Sequence, residues 1–541
     1  MKPIIPRRRF VQGLAAAASA GPVGRLWAAM APTPSAAVPQ ILSGPEVELS
    51  IGALPLTVAG RTTMATAVNG SVPGPVLHLR EGDEVAIRVT NRLSEPASIH
   101  WHGIRLPSDQ DGVPGLSFRG IAPGTTFTYR FPIRQSGTYW YHSHSGMQEQ
   151  TGLYGALLIE PIRPTPYAYE REHVLLLSDW TCEDPMTILS NLKQQSDYYD
   201  RQQRTLETFV ADSRKDGLRG TLRDRLMWSR MRMSPTDLAD VTGSSYTFLA
   251  NGQGPGANAS LLFRPGERVR LRVINGAAMT TFDVRIPGLS LTVVAADGND
   301  VEPVRVDEFR IGVAETYDLI VQPTQDAAYT VFAQAQDRSG FARATLAPRA
   351  GMSAPIPPLD ARPLRSMADM GTNMPMPGMN MAGMSMDSMI RGRLSEPGDG
   401  LDGNDRRELT YADLRAVSDV AGAAAPTREI TVHLTGNMER YIWGFDGKKF
   451  SQAPPIALKL GERVRIVLIN DTMMEHPIHL HGFFFALENG QDRPPLKHTV
   501  NVKPAERISI LVNADTPGYW AFHCHLMYHM EAGMFRTVVV A

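Results

Sequence analysis

Leu79-Arg80-Glu81-Gly82-Asp83-Glu84-Val85-Ala86-Ile87-Arg88-Val89-Thr90-Asn91 reads as a turn followed by a strand. The pattern recurs at Phe263 to Asn275 and again at Leu458 to Asn470. Each copy carries a Gly-acid pair (Gly82-Asp83, Gly266-Glu267, Gly461-Glu462) and then an alternating apolar run that ends in Asn. Alternation with period two is what a half-buried β-strand requires. Frequent Gly and Pro, 47 and 41 in the chain, fit many short strands joined by turns. Three copies of one unit predict an all-β chain of three Greek-key β-sandwich domains.

A second repeat ties only the outer copies. Gly137-Thr138-Tyr139-Trp140-Tyr141-His142 corresponds to Gly518-Tyr519-Trp520-Ala521-Phe522-His523, and its aromatics read as core packing. The domains are expected at 43–165, 167–349 and 426–541. The middle one has no His after His173, so it is expected to act as a spacer that positions its neighbours. An insertion of helical character, rich in Leu, Gln, Arg and Lys, occupies 185–240 of it. A linker with many Pro, Gly and Asp follows over 350–425. Inside it Met367 to Met389 places nine Met in 23 residues. Thioethers are soft ligands that select Cu(I), so Met374, Met376, Met379, Met381, Met384 and Met386 are candidate ligands for extra Cu(I). The competing reading is a low-complexity tether.

At 541 residues the chain is too long for one core. Hydrophobic content of 43% and a charged fraction of 20% are ordinary for globular proteins. A net charge of -1 gives no reason to expect a nucleic-acid partner. No apolar run reaches the roughly 18 residues of a membrane span. At the N-terminus, Arg7-Arg8-Arg9-Phe10-Val11-Gln12 resembles a twin-arginine export signal and precedes the Ala-rich stretch Gly13 to Ala20. Residues 1–31 are therefore expected to be a targeting segment read by the twin-arginine export machinery, with the periplasm as destination. Ala18-Ser19-Ala20 and Ala29-Met30-Ala31 both offer small-x-small cleavage sites.

Four short segments carry ten of the fourteen histidines and one of the two cysteines. They are His100-Trp101-His102-Gly103, His142-Ser143-His144, His476-Pro477-Ile478-His479-Leu480-His481-Gly482, and His523-Cys524-His525 with His529 and Met534 behind it. A single thiolate with two imidazoles and a weak axial thioether points to a type-1 copper. No tetrahedral zinc site accounts for so many histidines. Side chains on a strand alternate faces, so His523 and His525 point one way and Cys524 the other. Two metal centres would then be joined by a short stretch of covalent backbone, which suits electrons entering at one and leaving at the other. His78, His173, His433 and His498 match no ligand position and read as structural, and Cys182 has no partner if Cys524 binds copper.

These motifs resemble the multicopper oxidases, whose sandwiches are of cupredoxin type. The resemblance implies four copper ions. His476, Cys524, His529 and Met534 match the type-1 ligands. His100 and His479 match the type-2 ligands. His102, His142, His144, His481, His523 and His525 match the type-3 pair. Each outer domain then supplies four histidines to a trinuclear cluster, expected at the interface of domains one and three. Longer stretches, Val68 to Pro161 and Gly436 to Val540, resemble the copper-resistance protein A family of bacterial periplasmic oxidases. That resemblance implies one-electron oxidation of Cu(I) and four-electron reduction of O2 to water. Asp111, in Gln110-Asp111-Gly112, matches an acidic residue near the cluster in related cuprous oxidases, which implies a proton-relaying role; from the residues alone it is a turn residue. Glu531 is a second acidic candidate, displaced by one residue from the usual position.

Three functions stay open on sequence: a cuprous oxidase for copper tolerance, a laccase-like phenol oxidase, and a non-catalytic copper store built on the Met segment. Met473-Met474 beside His476 favours a soft-metal donor, and a store has no need of an eight-His cluster.

Overall fold

The computed structural model describes residues 40–231, 233–366, 392–419, 422 and 424–541. In each copy of the repeat the glycine takes a left-handed φ, 90° at Gly82, 91° at Gly266 and 80° at Gly461. Side chains are strained there, which explains why the pair always begins with Gly. The turn launches the strands Glu84–Asn91, Val269–Asn275 and Arg463–Asn470. Each strand pairs in parallel with a strand near the start of its domain: Glu46–Val58, Arg171–Trp180 and Arg428–Asn437. On its other side each pairs antiparallel with Thr126–Pro132, Thr316–Val321 and Arg507–Asn513.

The closing asparagine also does the same job three times. Oδ1 of Asn91, Asn275 and Asn470 accepts from the amide two residues on, at Leu93, Ala277 and Thr472. Nδ2 of each donates to two carbonyls, for Asn470 those of Met474 and Val502. This is the local turn that a short amide side chain builds with its own backbone. In domain three it holds the loop that leads into His476.

Six sheets in the described residues form three cupredoxin-like sandwiches. The metal-motif strands all lie in one sheet of each outer domain. The first has the order Ile41–Ser43, Val76–Arg80, Tyr154–Glu160, Gly137–His142, His100–His102, and the second Ile456–Leu458, Phe535–Val540, Gly518–Cys524, His476–Leu480, Thr499–Val502.

The middle domain departs from the simple repeat. Its Val269–Asn275 strand is buried throughout, whereas Glu84–Asn91 alternates. Arg270 pairs with Asp318, and Arg272 reaches Glu172 at 2.9 Å and Thr138 Oγ1 of domain one at 2.9 Å. Polar residues on a face expected to meet solvent are thus consumed in a domain contact.

The insertion forms three helices, Pro185–Gln194, Leu206–Asp216 and Leu218–Met231. Asp184 caps the first by accepting from Thr187 N at 2.9 Å, with Pro185 at the first turn. Gly217, with φ 77°, separates the other two. The described flanks of the 350–425 linker are strapped down: Asp360 bonds Arg285 and Arg406, and Arg362 bonds Asp200. Residues 1–31 and the Met run with Met374, Met376, Met379, Met381, Met384 and Met386 lie outside the described residues. Among the described residues no helix is long and apolar enough to cross a membrane.

Candidate metal centre

Strand register brings the motifs together. His100 lies opposite His142, and His479 opposite His523, while Ile478 faces Cys524. The two outer domains then meet ring on ring. His100 stacks on His481, and His102 on His479, each pair at 3.8 Å between centroids. Ring nitrogens of His100, His144 and His481 lie within 4.8 Å of one another, as do those of His102, His142 and His525. The eight histidines therefore converge across the interface of domains one and three.

Which nitrogen faces inward is set by what the other one bonds. His100 Nδ1 donates to the Asp111 carbonyl at 2.8 Å, and His479 Nδ1 to that of His498 at 2.7 Å. His523 Nδ1 donates to the Cys524 carbonyl at 2.9 Å. His481 Nδ1 donates to Asp111 Oδ2 at 2.8 Å, and His142 Nδ1 to Glu149 Oε2 at 2.7 Å. The Nε2 atoms of His100, His102, His142, His144, His479 and His525 are buried with no hydrogen-bond partner among the described residues. His481 Nε2 and His523 Nε2 face each other at 3.0 Å with both protons held elsewhere. Burial first, then neighbouring imidazoles, holds His102, His142, His144, His479, His481 and His525 well below the ordinary histidine pKa. Neutral rings with converging lone pairs and no donor to meet them are what a cluster of bound cations requires. The donor set fits copper.

Asp111 holds both halves of the site. Its carbonyl takes His100 of domain one and its carboxylate takes His481 of domain three. A Cβ on the following Gly112, φ 79°, would sit 1.8 Å from the Ile99 carbonyl oxygen, so the turn needs glycine there. Glu531 is not brought to the histidines: it is exposed at the end of the Met527–Glu531 helix, turned outward while His529 is buried. The second buried carboxylate beside the cluster, after Asp111, is Glu149, bonded to His142 and 4.0 Å from His525.

The second constellation is compact. Cys524 Sγ lies 3.5 Å from His476 Nδ1 and 3.8 Å from His529 Nδ1, and those nitrogens are 3.2 Å apart. Their outer nitrogens are anchored, His476 Nε2 by Thr472 Oγ1 at 2.7 Å and His529 Nε2 by Asp240 Oδ2 at 2.7 Å. Trp443 stacks on His529 at 3.9 Å. Met534 is fully buried; its amide donates to the His529 carbonyl and its carbonyl accepts from Cys524 N. Met473 and Met474 are buried in the loop before His476.

Several residues here escaped the sequence reading. Asp240 closes the helical insertion, and Thr472 belongs to the asparagine turn; neither has a motif. Glu149 stands in Gln148-Glu149-Gln150, where nothing local marks a carboxylate as buried. His498, expected to be merely structural, lies against the cluster, its ring 4.8 Å from His102 and 5.5 Å from His479. The remaining three do take structural roles: His78 pairs with Glu160, His173 bonds the Leu262 carbonyl, and His433 pairs with Asp471. The middle domain is also more than a spacer, since its Asp240 holds His529 and its Asp297 accepts from the amides of His498 and Thr499 beside the cluster.

Comparison with known proteins agrees with this geometry. Residues 51–164, 171–350 and 423–541 match three family models, each described as multicopper oxidase. The chain is 51% identical to a copper resistance protein A homolog of Pseudomonas syringae pv. tomato, covering 99% of each chain. It is 49% identical to copper resistance protein A of Escherichia coli, again over 99% of each. Among solved structures, Fet3p, a multicopper oxidase that functions in iron import, aligns with a TM-score of 0.69 at 20% identity, over 92% of this chain and 90% of that one.

Proposed function

This chain belongs to the multicopper oxidase family, and from that premise we propose that it is a periplasmic cuprous oxidase that draws electrons from Cu(I), reduces O2 to water, and so contributes to copper resistance. His476, Cys524, His529 and Met534 would hold a type-1 copper, His100 and His479 a type-2 copper, and His102, His142, His144, His481, His523 and His525 a type-3 pair. When bound, these ions would supply one-electron oxidation at the first site and O2 reduction at the other three.

The chain's own residues do the rest. Cys524 is covalently continuous with His523 and His525, so the two sites share one strand end. Asp240 and Thr472 fix the outer edges of the type-1 imidazoles and leave both Nδ1 atoms facing the thiol. Asp111 and Glu149 hold the Nδ1 protons of His481 and His142, which keeps those Nε2 atoms unprotonated.

The observation that carries the Cu(I) reading is a cavity of about 20 Å³ beside the type-1 residues. It is lined by the thioethers Met279 and Met474 and the carboxylates Asp240, Asp337 and Glu475. Asp240 Oδ1 and Asp337 Oδ2 are buried with no hydrogen-bond partner among the described residues. The two thioethers are soft donors that select Cu(I), and the unpaired carboxylate oxygens add negative charge for a cation. A space of that size holds one water-sized ion and no aromatic ring. His476 and His529 are themselves 0% exposed, which argues against a phenol docking on them.

Replacing both Met279 and Met474 with Leu should raise the KM for Cu(I) about tenfold or more, since loss of even an outer-shell partner of a metal site costs about that much in affinity. The blue type-1 absorption should remain. An unchanged KM for Cu(I) in a blue, copper-loaded variant would remove this cavity from the reaction.

A further inference from the structure

We infer that His498 is a ninth histidine of the trinuclear centre, its Nε2 donating to the copper that His479 holds while Asp297 of the middle domain fixes its tautomer. The inference rests on the four-copper reading above. His498 directly precedes Thr499, the register partner of His479, and its carbonyl accepts the His479 Nδ1 proton. His498 thus sits at the bend that leads into the strand paired with that of His479. Ring nitrogens of His102, His479 and His498 lie within 4.8 Å of one another, all three residues buried.

The hydrogen bonds select the ring nitrogen. His498 Nδ1 meets Thr499 Oγ1 at 3.0 Å and Asp297 Oδ2 at 3.6 Å. The carboxylate is too far for a hydrogen bond, but its negative charge on that side favours the proton on Nδ1, shared with Thr499 Oγ1, and so a lone pair on Nε2. Asp297 is itself immobilised, accepting from the amides of Thr316, His498 and Thr499 at 3.1 Å each and pairing with Lys497 Nζ at 3.1 Å. Lys497 also pairs with Glu315 at 3.0 Å, so one buried cation is shared between two carboxylates.

An ordinary core histidine in this position would have a partner for its second nitrogen. His498 Nε2 is buried and has none among the described residues. Space for it is also built in. Gly103 follows the ligand His102 with φ 81°, and a Cβ there would lie 2.6 Å from His498 Nε2 and 2.5 Å from His498 Cδ2. The glycine that closes His100-Trp101-His102-Gly103 therefore admits this edge of the ring to the site.

Pulsed electron paramagnetic resonance on the copper-loaded protein counts the nitrogens coupled to the type-2 copper. Wild type should show three, and His498→Gln two, with the blue type-1 absorption equal in both as proof of folding. Asp297→Asn should keep three nitrogens but weaken retention of that copper about tenfold or more against a chelator. The same nitrogen count in wild type and a blue His498→Gln overturns the inference and leaves the four-copper reading standing. A loaded wild type with no type-2 signal overturns that reading, and this inference with it.

Discussion

Cys524 is a thiol with no water around it, and burial pushes its pKa well above the ordinary thiol value. It stays neutral without metal and becomes a thiolate only when a cation replaces its proton. Serine in its place offers a hydroxyl that cannot act as a soft donor. Cys524→Ser should therefore lose the intense visible absorption and the oxidase activity while the eight-histidine site still takes up copper, which metal analysis and absorption spectra would read together. A variant that stays blue contradicts the assignment of Cys524. At this scale the sequence is most legible for ligands, because strand alternation and short spacings carry them. It is least legible for the groups that aim those ligands. Asp240 and Asp297 reach their histidines from distant parts of the chain, Glu149 stands only a few residues beyond His142, and only burial distinguishes the three from surface acids. His498 was hidden for the same reason, since no spacing relates it to His479 until the strands pair. Glu531 misled because a displacement of one residue from the usual acidic position turns the side chain outward on a short helix, while His529 points inward.

Elements succeed where a local rule is repeated. The glycine turn and the closing asparagine recur with the same φ and the same bonds in all three domains, so the repeat was readable as structure. What it could not convey was the fate of each strand's polar face. In the middle domain that face is buried by charge pairing, and Asp283 shows the consequence. It accepts from Arg310 Nε at 2.8 Å and Arg338 Nη1 at 2.6 Å, and Arg310 also pairs with Glu475 next to His476. Burial alone would raise the Asp283 pKa, but the two guanidiniums outweigh it and hold the value below the usual carboxylate range. A depressed folded pKa means stability that is present above the unfolded value and lost as pH falls through the folded one. Asp283→Asn should destabilise the protein at neutral pH by about 3–5 kcal/mol. The gap from wild type in denaturant unfolding should close below the usual carboxylate range. A gap independent of pH would mean that the Asp283 charge is not what holds this contact.

The whole molecule is three copies of one sandwich adapted to three duties. Domains one and three share a cluster that neither could form alone, and domain two braces both centres with carboxylates while contributing no ring to either. The number of domains and the interface of the cluster were legible because the histidines are partitioned between the outer copies. The bracing was not, because it depends on how finished domains pack. The proposed twin-arginine route, which passes folded proteins, would suit such a shared site. Changing Arg7 and Arg8 together to Lys should leave the unprocessed chain in the cytoplasm, as cell fractionation would show. Undiminished periplasmic protein would mean that another route serves.

Oxygen uptake by the fully copper-loaded protein, with Cu(I) as the sole reductant, tests the central claim most directly. Four Cu(I) ions should be oxidised for each O2 consumed, with no hydrogen peroxide released, and a simple phenol should support much slower uptake. Rapid uptake with the phenol and none above background with Cu(I) would contradict the account.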